Sequence, residues 1–406
     1  MDYVELAVPF FLIALVVEAI YGKLINQNTY RLNDTISSLF MGSLRGASGI
    51  LKIGFSGYIY YQIESHFVLW RMDSDLLITW IFAFIAYDFF YYWMHRISHE
   101  RQIFWASHVA HHQSEEYNLS TALRQTGTGF LISWVFYIPL FLIGVPSYVM
   151  VSVASINLIY QFWVHTRHIP KLGWYEYIFV TPSNHRVHHA QNENYIDKNY
   201  GGVFIIWDRM FGTFKEEDEN ETPIYGIRGT LNTFNPIWAN LHIYISMAKD
   251  IWNAQNWKDK FFVPFARTGW RPSSLPEQPA KDNFDAEIFQ KYNPEVSRKI
   301  KIYSFFQFLA LAYVGLVVLE SGELSYQQLW VTVAMMAFTM YCTSLWLDGK
   351  EGFAMEMTRL ALCVMIGVYS LFDVSLEFIA ISLLSYAVIN ILVLPLINRS
   401  QIFLKA

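Results

Sequence analysis

Apolar residues in this chain gather into long blocks rather than narrow helical stripes. The blocks cover about 6–22, 76–94, 129–144, 147–164, 303–319, 327–346, 356–372 and 375–396. A bilayer core takes roughly 20 apolar residues per helix, so each block is predicted to span a membrane. Segment 36–63 is interrupted by Arg45 and Lys52. It fits either a further crossing or a re-entrant or interfacial piece buried against protein. The first block follows Asp2 and Glu5 with no basic residue before it and contains Glu18, so it reads as a retained membrane helix rather than a secretory signal. From 165 to 300 the chain is polar, and the run Glu216, Glu217, Asp218, Glu219, Asn220, Glu221 reads as a solvated loop. The expected fold is all-α: a polytopic integral membrane helical bundle.

Composition narrows the function. The chain is 54% hydrophobic, 18% aromatic and only 16% charged, well away from soluble globular proteins. Net charge is −5 with no long basic stretch, which offers nucleic acid no electrostatic footprint. The only cysteines, Cys342 and Cys363, lie inside apolar blocks, so a metal would be held by nitrogen or oxygen.

Those nitrogens are plentiful. Eight of twelve histidines fall into three boxes: His95-Arg96-Ile97-Ser98-His99, His108-Val109-Ala110-His111-His112 and His185-Arg186-Val187-His188-His189. Spacings of i, i+3 and i+4 place rings on one helix face, and neutral imidazole is the commonest metal nitrogen donor. Eight rings exceed what one ion accepts. The His-Glu-x-x-His helix of hydrolytic zinc sites is absent, and so are the paired Glu-x-x-His motifs of carboxylate-bridged bundles. Two irons held by histidine and activating O2 fit both the ligand set and the membrane setting. The block 76–94 ends at His95, and the pair around Gly144-Val145-Pro146 returns to the same face at His165. All boxes therefore share one side, as a histidine-rich di-metal cap. If segment 36–63 crosses, basic residues concentrate there, among them Lys23, Arg96, Arg101, Arg124 and Lys171. The positive-inside rule makes that side cytoplasmic, in a bacterial inner membrane or the endoplasmic reticulum.

Four stretches carry a family resemblance: Asp88-Phe-Phe-Tyr-Tyr-Trp-Met-His95-Arg96, the two His-x-x-His-His boxes, and Asn199-Tyr200-Gly201-Gly202 through Trp207-Asp208-Arg209 to Phe211-Gly212-Thr213. Over roughly residues 75–215 the chain resembles the fatty acid hydroxylase and sterol desaturase superfamily. Within it, the stretch His111-His112-Gln-Ser-Glu-Glu-Tyr117-Asn118-Leu119-Ser120-Thr-Ala-Leu123-Arg124-Gln125 and the four blocks after residue 300 look most like the pterin-dependent glyceryl-ether monooxygenases. The apolar blocks predict N-terminal membrane helices over 1–75 and a four-helix membrane region over 301–406, and the resemblance implies a hydroxylase-like catalytic domain over 76–300. It also implies that the eight box histidines are metal ligands, joined by His165 and His168.

Other residues have weaker signals. Asp88 lies two helical turns before His95, where a costly intramembrane carboxylate is expected to orient a ligand ring. Glu100, Glu115 and Glu116 adjoin the boxes and are expected to be solvated, with Glu100 also a candidate grip for the amino-pyrimidine edge of a pterin. His66 and His242 are expected not to be ligands. Glu18 and Arg359 are expected in packed contacts, and Tyr87, Tyr91, Tyr92 and Trp93 in an aromatic belt. The polar stretch 225–300, with Trp238, Trp252, Trp257 and Phe261 near basic residues, is expected along the headgroups. The combined reading is a di-iron oxygenase that takes a lipid substrate and O2, most closely an alkylglycerol hydroxylated beside its ether oxygen. Its electrons come from an external donor, tetrahydrobiopterin or a reductase, because no haem, iron–sulfur or dinucleotide motif is present. A reductase-fed sterol desaturase or fatty acid hydroxylase, and a membrane transporter or metal-binding membrane protein without redox chemistry, are the alternatives.

Overall fold

The computed structural model describes residues 3–51, 55–276, 284–319, 324–373 and 376–402, so Asp2 and Lys52 lie outside it. Among these residues the regular structure is helical, with β-bridges only as isolated pairs. Six helical segments are long and apolar enough to cross a bilayer: Leu6–Leu24, Leu77–Glu100, Arg298–Val318, Tyr326–Leu347, Phe353–Ser370 and Glu377–Ile397. The chain is an integral membrane protein.

Contacts divide the chain into two units, one of residues 1–31, 52–231 and 239–291, the other of residues 32–51, 232–238 and 292–406. In the first, α1 (Tyr3–Leu24) is followed by α3 (Phe55–His66) and α4 (Leu77–Glu100), α2 (Leu32–Leu51) belonging to the second. Short helices α5 (Gln102–Ala106), α6 (Val109–His112) and α7 (Leu119–Ala122) lead to α8 (Ile138–Ile143) and α9 (Ser147–Trp163). Then come α10 (Pro182–His188), α11 (Ile206–Phe211), most of α12 (Pro236–Asn253) and α13 (Trp257–Phe262). A core of Ala83, Leu140, Phe141, Val145, Val149, Met150 and Val153 joins α4, α8 and α9. Phe11 and Phe162 stack at 4.1 Å and tie α1 to α9. Helices α4 and α9 run parallel, as the contacts Asn157 to Asp88 and Tyr91 to Gln161 show. His95 and His165 therefore emerge at the same end.

One expectation changes here. The block 129–144 is not one membrane helix but 3-10 turns at Gly129–Leu131 and Ser133–Tyr137 followed by the six residues of α8. Pro139, at the start of α8, has no N–H to offer a preceding turn. Its partner α9 has 17 residues. The turn between them is as read: Gly144 takes φ +103 and closes against the Trp70 carbonyl, where a Cβ would stand 1.4 Å away. Segment 36–63, which the sequence left open, falls on α2 and α3, with residues 52–54 outside the described residues.

The second unit packs α2 against α14 (Arg298–Tyr313) and α15 (Tyr326–Leu347), with α16 (Phe353–Ser370) and α17 (Glu377–Ile402) completing it. Ile300, Tyr303, Trp346, Leu360, Leu394 and Ile397 form its core. Arg359 is fully buried and pairs with Glu356 one turn away on α16. Around them, Gln307 donates to Asn390 at 2.7 Å, and Tyr303, Tyr386 and Thr339 engage the same pair. A buried ion pair persists only when its remaining donors and acceptors are met, and here they are. Arg359 is thus a packed residue, as its sequence setting suggested.

Candidate metal centre

Each box is shaped by local chemistry. His95 and His99 occupy the last turns of α4, four residues apart on one face. His108 precedes the single turn of α6, which carries His111 and His112. Arg124, buried, donates from Nε to the Ala110 carbonyl at 2.8 Å and pins that turn. On α10, the Thr181 side chain caps the N-terminus by accepting from the Asn184 N–H, and the Thr181 N–H donates in return to Asn184 Oδ1, with Pro182 at the first position. His185, His188 and His189 follow. The guanidinium of Arg186 makes a bidentate pair with Glu217, at 2.8 and 2.7 Å. Glu217 thereby leaves the run read as a solvated loop, because a buried arginine requires it.

Nine histidines converge in two groups: His95, His99, His108, His112 and His188 in one, His111, His165, His185 and His189 in the other. Within each group the candidate ligand atoms all lie within 4.8 Å of one another. Rings of the two groups also touch, His112 stacking on His189 at 4.3 Å. Nine of the ten expected ligands are brought together. His168 is not among them: its ring sits edge-on to Tyr21 of α1 beside Gly22. His66 and His242 also lie outside both groups.

Four rings are oriented by peptide carbonyls. Nδ1 of His95 donates to Tyr200 O at 2.8 Å, that of His111 to Arg124 O at 2.8 Å, that of His165 to Gln161 O at 2.8 Å and that of His188 to Lys198 O at 3.0 Å. A neutral imidazole with its proton on Nδ1 presents a lone pair at Nε2. His111 and His165 are both fixed in this form, yet their Nε2 atoms lie only 3.3 Å apart. Burial pushes His111 down to about 4 and His165 well below the imidazole range, so neither supplies a bridging proton near neutral pH. Two lone pairs facing each other across a buried gap call for a cation. Taking the zinc–imidazole length as a measure, nitrogens around one ion stand about 2.9–3.4 Å apart at angles of about 90–110°. His95 to His108, His108 to His112, His185 to His165 and His185 to His189 fall at 3.1–3.2 Å between Nε2 atoms. Nε2 of His99 and of His188 are buried without a hydrogen-bond partner. The donor set fits two metal ions.

Asp88 acts differently from its expected role. Among the described residues its hydrogen bonds go to no histidine; it accepts from Asn157 Nδ2 at 2.7 Å, Val203 N at 2.8 Å, Phe204 N at 3.0 Å and Trp207 Nε1 at 2.9 Å. Its seven-residue offset from His95 is genuine, but the loop 199–204 lies between. Asp208 grips that loop from the other side, accepting from Tyr200 N at 2.7 Å, Gly201 N at 2.8 Å and Thr213 Oγ1 at 2.6 Å. Burial pushes Asp208 up to about 6 against the pull of those three donors. The sequence reading missed Asp208 and the carbonyls it positions. The available signal was Asn199-Tyr200-Gly201-Gly202: Asn199 takes φ 55, and a Cβ on Gly202 would stand 2.9 Å from Asp88 Oδ1.

The acidic neighbours of the boxes divide. Glu115 and Glu116 are buried, not solvated: Arg31 Nε pairs with Glu116 at 2.6 Å and Lys291 Nζ with the same carboxylate at 2.7 Å. Glu100, its carboxylate one-third exposed, is paired with Arg96 at 2.8 Å. Glu18 accepts from Leu119 N at 2.8 Å and from Tyr30 and Thr166, a packed role as expected. Tyr92 is fully buried, its hydroxyl 3.0 Å from Thr213, so it serves the loop rather than an aromatic belt.

The fatty acid hydroxylase family model matches residues 80–213, the stretch that contains all nine converging histidines. An alkylglycerol monooxygenase of Homo sapiens is 38% identical over 378 residues, 90% of this chain and 82% of that protein. One of Danio rerio is 42% identical over 274 residues, 66% of this chain and 60% of that protein. The ornithine lipid hydroxylase OlsE of Rhizobium tropici is 28% identical over 171 residues, 41% of this chain and 50% of that protein. No solved structure matches the chain. With a buried two-cluster histidine centre at the end of a membrane helix, and with likeness running across most of its length, the chain belongs to the fatty acid hydroxylase superfamily, in the company of the alkylglycerol monooxygenases.

Proposed function

We propose that the chain hydroxylates the carbon beside the ether oxygen of an alkylglycerol, on the cytoplasmic face of its membrane, with iron at both histidine clusters and a reduced pterin as electron donor. The observation that supports this most is the pair of clusters, five and four imidazoles of which all but His99 and His108 are buried, in a chain alike over 90% of its length to a protein named for that substrate. When bound, the di-iron pair would supply O2 activation and hydrogen removal. The overall change is balanced: one oxygen atom enters the C–H bond, and the other leaves as water with two electrons and two protons from the tetrahydropterin. The resulting hemiacetal breaks its C–O bond, its hydroxyl proton passing to the ether oxygen, and an aldehyde and a free glycerol hydroxyl are released.

The chain's own residues hold and orient. Carbonyls of Tyr200, Lys198, Arg124 and Gln161 fix four rings with Nε2 inward. Glu100, next to His99 and partly exposed, is assigned to the amino-pyrimidine edge of the pterin, where a carboxylate accepts paired hydrogen bonds. His168 keeps a proposed ligand role only if α1 moves. Iron analysis of anaerobically purified protein, followed by O2 uptake with an alkylglycerol, a sterol and a fatty acyl lipid, tests the proposal. Turnover of the alkylglycerol with tetrahydrobiopterin alone is expected. Turnover only with a reductase and cytochrome or ferredoxin would transfer the chain to the desaturase or hydroxylase alternative, and no O2 uptake at all would favour a transporter or non-redox metal protein.

A further inference from the structure

Segment 239–276 presents an exposed aromatic surface. Trp252 is 81% exposed, Trp257 84% and Phe261 76%, with Phe262 and Phe265 also exposed. Trp257 and Phe261 share one face of α13, four residues apart, and Phe261 and Phe265 lie 5.8 Å apart by ring centroids. Lys260 Nζ donates to the carbonyls of Ile251 and Trp252 at 3.1 and 2.9 Å, which holds the end of α12 beside α13. Contiguous exposed apolar surface of this kind marks an interaction site.

Two observations identify the occupant. The first is continuity with the membrane helix. Gln102 N donates to Ala266 O at 3.1 Å, Thr268 N to Glu100 O at 3.1 Å and Arg101 to Phe265 O at 3.1 Å, so this surface is laced to the residues where α4 ends. Helix α4 is one of the membrane-spanning candidates, and its last turns carry His95 and His99. The second is charge. Lys249, Lys258 and Arg267 are exposed in this segment, the acid Asp250 is paired with Arg271 at 2.6 Å, and the one other acid, Asp259, whose carboxylate accepts from Asn256 Nδ2 at 2.7 Å, is outnumbered by the cations. Rings that prefer the acyl–headgroup boundary, in a segment with an excess of cations at the depth where a membrane helix emerges, match an anionic leaflet.

We propose that the end of α12, α13 and the turn after it form an interfacial anchor that seats in the anionic leaflet at the metal-bearing end of α4. It places the lipid surface beside His99 and so makes lipid delivery depend on headgroup charge. The inference rests on α4 crossing the membrane, not on the identity of the substrate or donor.

The anchor is tested without turnover. In a background lacking Cys342 and Cys363, nitroxide labels at Phe261→Cys and Asn256→Cys are compared in nanodiscs of phosphatidylcholine with and without phosphatidylserine. The Phe261 label is expected to relax with lipid-soluble oxygen and the Asn256 label with a water-soluble nickel chelate. A Phe261 label reporting water in both nanodiscs overturns the anchor and leaves the patch to a protein partner. The charge dependence is read separately, with Lys249→Gln/Lys258→Gln/Arg267→Gln. Wild-type protein should show a lower KM for its lipid when phosphatidylserine is present, by up to about fivefold per cation, and the triple variant should lose that response with kcat and metal content unchanged. Equal responses from both proteins overturn the anionic specificity.

Discussion

Replacing Asp208 by Asn separates a ligand-orienting loop from a merely structural one. The carboxylate accepts three bonds, two at Oδ1 from Tyr200 N and Thr213 Oγ1 and one at Oδ2 from Gly201 N. An amide keeps one acceptor oxygen and turns two hydrogens toward the Gly201 N–H. One orphaned buried donor costs about 1–3 kcal/mol, and exchanging two charged bonds for neutral ones weakens each by about 1 kcal/mol, so the native loop position is destabilised by about 3–5 kcal/mol. That is less than the stability of an ordinary domain, about 5–15 kcal/mol, and the variant is expected to fold. The loop it loosens supplies the carbonyls of Tyr200 and Lys198 to His95 and His188, both in the five-histidine cluster. The four-histidine cluster takes its carbonyls from Arg124 and Gln161 instead. Asp208→Asn protein purified anaerobically and reconstituted with ferrous iron should therefore hold close to one iron per chain where wild type holds two. Its melting temperature should fall by a few degrees, and a Mössbauer spectrum should retain one of two iron environments. Two irons per chain at unchanged potency, or loss of both from a folded protein, would refute the loop's selective role.

Four further outcomes are expected. His188→Ala should lose metal and activity together while His66→Ala spares both, and a fully active His188→Ala protein would sink the metal-centre reading. Glu100→Gln should raise the pterin requirement several-fold with metal content intact, in keeping with the loss of a charged hydrogen bond; an unchanged KM for tetrahydrobiopterin removes Glu100 from the donor site. Cysteines placed at the exposed Glu193 and Asp75, in a background lacking Cys342 and Cys363, should be labelled from the cytoplasm and from outside respectively, and the reverse pattern would invert the topology. Arg359→Met should destabilise the protein in detergent less than Glu356→Gln, which strands a buried cation at a cost of about 3–5 kcal/mol; a thermal melt showing the opposite order would mean the arginine is not charged there.

Much of the centre was legible because its determinants are local. Boxes with i, i+3 and i+4 spacing must put their rings on one face, and the return of the chain at His165 followed from counting apolar blocks. Distant partners were not legible. Asp88 serves Asn157, Val203, Phe204 and Trp207, and nothing in its own neighbourhood points to them. Glu115 and Glu116 look solvated until Arg31 and Lys291, far off in both directions, arrive beside them. Hydropathy over 129–144 registers greasy residues and is blind to the 3-10 winding that shortens the α-helical part to α8. His168 shows the limit of spacing alone: three residues past His165, it falls where the chain has left helical geometry, and it turns toward α1.

The use of main-chain oxygens to aim four of the rings has an evolutionary corollary. A carbonyl cannot be deleted by changing one side chain, so single substitutions at Tyr200, Lys198, Arg124 or Gln161 leave the acceptor in place unless they shift the backbone. Retuning those ligands therefore takes a change at the residues that shape the chain path, such as Gly201, Gly202 or Asp208. Residues facing the substrate are free to diverge around such a frame, and one metal-holding scaffold can acquire new lipid preferences without first losing its chemistry.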